Sequence, residues 1–144
     1  MREILFRGKR TDNGRWVEGY LIADTEFAGK PYYHTYIVNY KSPSGCFGGD
    51  IFIEVLPETV GQYTGLTDKN GTKIFEGDIC RKFKSGDCVS VAWHGTMAGY
   101  VWSKRKENNR YIFDFGDLFR VSDKYEVIGN IHDNPELLDG AGNG

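Results

Sequence analysis

The sequence predicts a mainly β fold, and three observations support this prediction. Apolar and polar residues alternate with a period of two through most of the chain, which is typical of half-buried strands. Aromatic residues make up 15% of the 144 residues, and they cluster with Val and Ile between turn signals, as strand-forming residues do. No segment shows the long 3.6-residue apolar period of an amphipathic helix. We therefore expect sheets joined by short turns.

The first part of the chain is predicted to form an N-terminal β-hairpin and sheet subdomain over residues 1–56. The segment EILFRG is a first strand, and the turn signal TDNG leads to a returning strand over Arg15–Ala23, because Asn and Gly tolerate positive φ in a two-residue turn. A third strand covers Tyr32–Tyr40, and IFIEVL forms a fourth. Pro57 then begins a single helical turn or an irregular crossing, which marks the domain boundary.

The second part is predicted to form a β domain over residues 57–138. Asp68–Gly71 is a second tight turn, and a strand over Ile79–Phe83 returns as CVSVAWH after a turn at Ser85-Gly86. GYVWSK pairs with RYIFDF, and YEVIGNI is the last strand. The chain then ends in a short helical turn with Asn134 as its cap and Pro135 at its first position, followed by a disordered tail over residues 139–144.

Apolar residues at alternate positions indicate which side chains face the core of this second domain. We expect the core to contain Ile74, Phe75, Ile79, Phe83, Val89, Val91 and Trp93. Tyr111, Phe113 and Phe115 are expected to share one face of their strand.

The composition argues against a secreted, membrane-spanning or strongly basic protein. The net charge is −2 and the pI is near 5.9, so no long-range attraction to nucleic acid or anionic lipid is expected. Three cysteines without a CxxC pair favour free thiols in a reducing compartment. The segment MREILFRGKR lacks the apolar run of a signal peptide. A cytoplasmic location is the expectation that this composition supports.

The stretch GQYTGLTDKNGTKIFEGDICRKF, residues 61–83, is the strongest candidate for a functional motif. Glu76 and Asp78 could act as a general acid–base pair, or bind a metal together with Asp68. Alternatively, Asp78 accepts backbone amides in an Asx turn where a strand starts, and the glycines supply positive φ. We favour the second interpretation, because nothing in FEGDI predicts two carboxyl groups with different pKa values. The glycine spacing matches no phosphate-binding loop.

No metal, cofactor or catalytic residue is expected. Structural zinc sites use closely spaced ligands, whereas the nearest thiols, Cys80 and Cys88, are eight residues apart. A nucleophilic pair of Cys88 with His94 fails on geometry, because six residues along one strand span about 20 Å.

Basic residues near aromatic ones indicate an alternative function in nucleic-acid binding. A small barrel can bind a nucleic-acid strand over a cationic groove by stacking bases on exposed aromatics. Against this, Lys and Arg at hairpin ends are commonly solvated residues that protect strand edges. The candidate nucleic-acid-binding residues are Arg81, Lys82, Lys84, Trp102, Lys104, Arg105 and Lys106.

Three segments resemble the YopX family, small proteins of phages and bacterial prophages. The central phrase GQYTGLTDKNGTKIFEGDI, the opening FRGKR…GRWVEGYLI and the ending YEVIGNIHDNPELL carry the resemblance, which covers about residues 2–138. It implies a mainly β protein with a small SH3-like barrel in the C-terminal part, and it implies no catalytic residue or cofactor. The positions that match the family motif are Tyr63, Gly65, Gly71, Glu76, Gly77 and Asp78, and we expect them to be structural.

The expected function is therefore that of a non-enzymatic phage or prophage protein that binds a host or phage protein, or itself as a homo-oligomer. Nucleic-acid binding is the alternative, and an enzyme that uses Glu76, Asp78 and a histidine is the third hypothesis.

Overall fold

The computed structural model describes residues 3–23, 34–39, 52–84, 86–94, 99–107, 110–114 and 124–140, with 94, 102–107, 110–114 and 139–140 described in backbone only. The chain divides into two compact units, residues 1–63 and 64–144. Within the described ranges it forms eleven strands, one 3-10 turn and one short α-helix. The prediction of a mainly β protein is confirmed. None of the helices in these ranges is long and apolar enough to cross a bilayer.

The first unit contains an antiparallel sheet with the strand order β4-β3-β2-β1-β5. The TDNG turn joins β1 to β2 as predicted, with Gly14 at φ 72° and its N–H donating to the carbonyl of Arg10 at 3.0 Å. The strands are β1 (Phe6–Lys9), β2 (Trp16–Ala23), β3 (Thr35–Val38), β4 (Phe52–Glu54) and the first part of β5 (Gly61–Thr67).

The core of the first unit lies on one face of this sheet. Alternate residues of β2 are buried, and Val17 packs with Ile37, Ile53 and Val55. Burying each such side chain contributes about 1.5–3 kcal/mol. Gly19 belongs to the same face, where a Cβ would lie 2.1 Å from the carbonyl oxygen of Val38. A side chain at position 19 would therefore prevent β2 and β3 from approaching.

The segment after β4 forms a 3-10 turn over Pro57–Thr59, in agreement with the predicted helical turn. Thr59 attaches this turn to the sheet, because its hydroxyl oxygen accepts the N–H of Lys9 at 2.9 Å and its O–H donates to the carbonyl of Leu56 at 2.6 Å. β5 follows at once, and the sequence analysis did not predict it.

The second unit contains the rest of β5, its neighbour β6, and a five-stranded antiparallel sheet with the order β10-β9-β8-β7-β11. A bulge between Val127 and Gly129 interrupts the pairing of β11 with β7. The elements are β6 (Lys73–Phe75), β7 (Asp78–Lys82), β8 (Cys88–His94), β9 (Gly99–Glu107), β10 (Arg110–Asp114), β11 (Tyr125–Asn130) and α1 (Glu136–Gly140).

The core of the second unit contains Ile74, Cys80, Val89, Val91 and Tyr125. Two predicted core residues, Trp93 and Phe83, are wrong: their side chains are 52% and 61% exposed. Trp93 keeps the period of two with Val89 and Val91 but is the penultimate residue of β8. Phe83 follows the last residue of β7 and shares a face with the exposed Arg81, not with the buried Cys80. The pattern continues to the strand ends, whereas the core does not.

Several details of the prediction are not confirmed or concern residues outside the described ranges. The SH3-like barrel is not confirmed, because the described strands form an open series from β10 to β11 without a pairing between these two. The predicted domain boundary after residue 56 stays a prediction. α1 includes the first two residues of the predicted tail, and 141–144 lie outside the described residues. So do the side chains of Tyr111 and Phe113, the whole of Phe115, and the ends of the predicted Tyr32–Tyr40 strand.

The predicted helix cap also differs. The side-chain oxygen of Asn134 accepts the N–H of Asn130 at 3.3 Å, while the backbone carbonyl of Asn134 accepts the N–H of Leu137. The Asn134 side chain thus closes the turn after β11 instead of capping the helix.

Candidate functional site

The turn at Asp68–Gly71 is held by the carboxylate of Asp68. This buried group accepts three backbone N–H groups, those of Asn70 at 2.8 Å, Thr72 at 2.9 Å and Val127 at 2.9 Å. The N–H of Lys69 also donates to the carbonyl of Tyr125 at 3.1 Å. One carboxylate therefore closes the turn and attaches it to β11.

The second turn, at Glu76-Gly77, contains the other buried aspartate. The carboxylate of Asp78 accepts the N–H of Phe75 at 2.7 Å. Gly77, at φ 90°, donates its N–H to the carbonyl of Val91 and accepts the N–H of Ile131, both at 2.8 Å. These contacts fix the chain between β6 and β7 against β8 and against the turn after β11.

Glu76 lies in this turn and is less buried than Asp78. It is half-buried, and this burial raises the pKa of its carboxyl group. The ring of His132 is close by, because its Nε2 lies 3.8 Å from the place of a Cβ at Gly77. Sequence reasoning did not identify His132 as a neighbour of this turn. The buried carboxylate of Asp78 is already bonded to the backbone, so Glu76 and Asp78 do not present a matched pair to solvent.

The other motif positions lie in the same two turns or in β5. Tyr63 is buried and donates its N–H to the carbonyl of Leu5 at 2.7 Å. Gly65 and Gly71 have φ values of 87° and 81°, a backbone region that residues with a Cβ disfavour.

The candidate metal ligands do not converge in the part of the chain that the structure describes. There, no group of three or more His, Cys, Asp or Glu residues is placed to hold an ion. Cys80 and Cys88 lie on adjacent strands but pair with Val89 and Arg81, not with each other. Burial raises the pKa of the Cys88 thiol, an effect that the nearby Arg81 opposes. Cys46 lies outside the described residues.

The candidate nucleic-acid-binding residues fall on two strands of the second sheet. Arg81 and Lys82 end β7, Lys84 follows, and Trp102–Lys106 belong to β9. β8 separates the two strands, and Val91 of β8 pairs with Trp102. Residues 102–106 are described in backbone only, so nucleic-acid binding by these two clusters stays a prediction.

A surface that the sequence analysis missed lies on the first sheet, on the face opposite its core. Tyr20, Ile22 and Phe52 are 54%, 46% and 56% exposed. The register aligns Tyr20 with Val38 and Val38 with Phe52, and the next row aligns Ile22 with Tyr36. We call this surface, formed by Tyr20, Ile22, Tyr36 and Phe52, the outer face; Val38, which lies between Tyr20 and Phe52 in the register, is itself buried. The segment YLIA of β2 was the available signal, because a half-exposed strand rarely carries apolar residues on both faces.

Charged residues of both signs border the outer face. On one side, the guanidinium of Arg7 lies 4.7 Å and the ammonium of Lys9 5.7 Å from the centre of the Trp16 ring. On the other side, Glu54 lies 3.3 Å from Nδ1 of His34. The outer face thus has an apolar centre and a mixed polar rim.

Comparisons with known proteins identify a family and similar solved structures. The family model described as "YopX protein" matches residues 5–139. The chain is also similar to the crystal structure of protein EF1440 from Enterococcus faecalis, with 26% identity, coverage of 96% of this chain and 99% of that one, and a TM-score of 0.48. No curated protein matches the chain.

Proposed function

The chain belongs to the YopX family, and we propose that it is a non-enzymatic protein-binding module that uses the outer face to contact its partner. We further propose that it is encoded by a phage or prophage and acts in the cytoplasm of the bacterial host. The proposed origin predicts that the genes flanking its own encode phage proteins.

The exposure of three large apolar side chains on β2 and β4, the two strands that flank β3, carries this proposal. Tyr20, Ile22 and Phe52 lie within two neighbouring rows of the sheet. Contiguous exposed apolar patches mark interaction sites more often than isolated exposed residues do. Aromatic residues in the centre of a patch are also the side chains that contribute most to protein–protein affinity.

The rim favours a protein partner over a polyanion or a lipid surface. Glu18 is exposed and pairs with Arg7 in the register, and Glu54 is exposed at the opposite side. These carboxylates would repel phosphate groups, whereas a protein surface can offer cations to them.

The contacts of the buried aspartates support a role without catalysis. The carboxylates of Asp68 and Asp78 accept backbone N–H groups inside the second unit. Side chains held in this way stabilise turns and have little freedom to move a proton to a substrate.

The experiment is affinity capture from a bacterial lysate with the full chain as bait. The test variant is Tyr20→Ser with Phe52→Ser, which removes two exposed aromatic rings from the outer face without changing the net charge. Ile4→Ser is the matched control, because Ile4 is 53% exposed on the same unit and lies outside the outer face. Light scattering checks whether the partner is a second copy of the chain.

We expect the wild type and Ile4→Ser to capture the same partner, and the double variant to bind that purified partner at least about tenfold more weakly. The proposal is wrong if the wild type captures nothing and stays monomeric, or if the folded double variant binds as tightly as the wild type. A second candidate function is nucleic-acid binding. It is favoured by the exposed ring of Phe83 and the neighbouring ammonium of Lys69 in the second unit.

A further inference from the structure

Phe83 is the most exposed large apolar side chain in the described part of the chain. It follows β7 directly and is held in place by its backbone, because its N–H donates to the carbonyl of Lys124 at 2.8 Å. An aromatic ring fixed at the end of a sheet and open to solvent offers a flat surface on which another ring can stack.

Cations surround this ring. The ammonium of Lys69 lies 4.8 Å from the ring centre, a distance at which a cation and an aromatic face attract. Lys124 is the cross-strand neighbour of Phe83, and Arg81 is two residues before it on the same side of β7. We call Lys69, Arg81, Phe83 and Lys124 the Phe83 surface.

The positive charges of the Phe83 surface exceed the negative charge beside it. Glu126 lies 3.3 Å from Arg81 and 3.9 Å from Lys69, so one carboxylate is shared by two cations. Lys124 is exposed and makes no ion pair with the described residues. Lys82 and Lys84 flank Phe83 in the chain and are exposed as well. The surface therefore attracts anions although the whole chain has a net charge of −2.

We propose that the Phe83 surface binds single-stranded nucleic acid, with a base stacked on Phe83 and phosphates on Lys69, Arg81 and Lys124. Single strands are preferred because the bases of a duplex are already stacked and paired. A protein partner fits less well, since lysines are depleted from the centres of protein interfaces. A lipid surface also fits less well, because one aromatic ring gives little apolar area to insert. This proposal concerns the second unit and does not depend on the outer face of the first.

The test is fluorescence anisotropy of the full chain with a labelled 12-nucleotide single strand and with a duplex of the same length, at several salt concentrations. Contacts to three phosphates predict a slope of about −2 in log K against log salt, since each phosphate on a single strand contributes about −0.7. The single strand should bind more tightly than the duplex.

Three variants separate stacking from charge. Phe83→Ser should weaken single-strand binding at least about fivefold with an unchanged salt slope, while Phe83→Tyr, which keeps the ring, should restore it. Lys124→Gln should weaken binding and make the slope shallower by about 0.7. The controls are Trp93→Ser, an exposed aromatic of the same unit, and Arg15→Gln, an exposed cation of the first unit. Both should bind like the wild type.

Absence of single-strand binding at about 10 μM protein and low salt would overturn the proposal, because even non-specific contacts are detectable there. So would equal effects of Arg15→Gln and Lys124→Gln, or binding that ignores Phe83→Ser. Tighter binding to anionic lipid vesicles or to polyglutamate than to the single strand would reassign the surface to a lipid or an acidic protein.

Discussion

At the scale of single residues, the buried aspartates explain why acidic side chains recur in the stretch from residue 61 to residue 83. Asp68 accepts N–H groups from its own turn and from β11. Asp78 accepts the N–H that begins the next turn. A carboxylate is suited to this task because it is a strong acceptor with two oxygens. The backbone N–H groups of this turn and of β11 thus depend on the Asp68 carboxylate as their acceptor.

Replacing Asp68 by alanine should lower the free energy of unfolding by about 3 kcal/mol, because it removes one charged acceptor and leaves three N–H groups without it. Urea denaturation measures this loss. Asn70→Ala in the same turn is the control, since Asn70 is exposed, and it should change stability by less than about 0.5 kcal/mol. Equal effects of the two substitutions would contradict the assigned role of Asp68.

Glu76 should make stability depend on pH in a definite direction. Burial raises its pKa in the folded chain above the ordinary value of 4.5, so the folded chain holds the proton more tightly than the unfolded one. Stability is then favoured below the unfolded pKa and declines as the pH rises through the folded pKa. Glu76→Gln removes this titration.

Thermal unfolding of both chains between pH 3.5 and pH 8 measures the effect. We expect Glu76→Gln to be more stable than the wild type near pH 7, with the advantage shrinking to nothing as the pH falls toward 4. A wild type that loses stability relative to the variant on acidification would show that the carboxylate form is the one that the fold favours.

At the scale of elements, the 3-10 turn over Pro57–Thr59 depends on one hydroxyl. Thr59 accepts the N–H of Lys9 and donates to Leu56. Thr59→Val keeps the shape but removes both hydrogen bonds of the hydroxyl, while the Leu56 carbonyl keeps the backbone N–H of residue 59. It should therefore cost about 2 kcal/mol in urea denaturation, mainly because the N–H of Lys9 loses this acceptor. Thr59→Ser keeps the hydroxyl and should lose clearly less stability than Thr59→Val. If the two variants are equally destabilised, packing and not the hydroxyl holds the turn.

A strand was predictable from sequence where an alternating apolar pattern directly follows a clear turn signal. β2 follows the TDNG turn and alternates cleanly, so its prediction was right to within one residue. β5 was missed because GQYTGLT contains two glycines and too few apolar residues to alternate. Its pairing with β1 is a long-range contact that no local pattern contains. Trp93 and Phe83 were placed in the core because alternation gives the face of a residue but not how far the core extends.

At the scale of the whole molecule, each unit has its own core and presents its own candidate surface. The outer face combines residues from β2, β3 and β4, and the Phe83 surface combines a turn with the ends of β7 and β11. Neither surface is contiguous in sequence. The sequence analysis found the cations Arg81, Lys82 and Lys84, but the contributions of Lys69 and Lys124 depend on pairing that only the fold reveals.

The central claim is that the motif turns build the fold and that the outer face binds the partner. Calorimetric titration of the captured partner tests this most directly, with Glu76→Gln compared against Tyr20→Ser combined with Phe52→Ser. We predict that Glu76→Gln binds like the wild type and that the double variant loses at least about tenfold in affinity. A folded double variant with full affinity, together with loss of binding in Glu76→Gln, would contradict the claim and place the functional site at the Glu76-Gly77 turn.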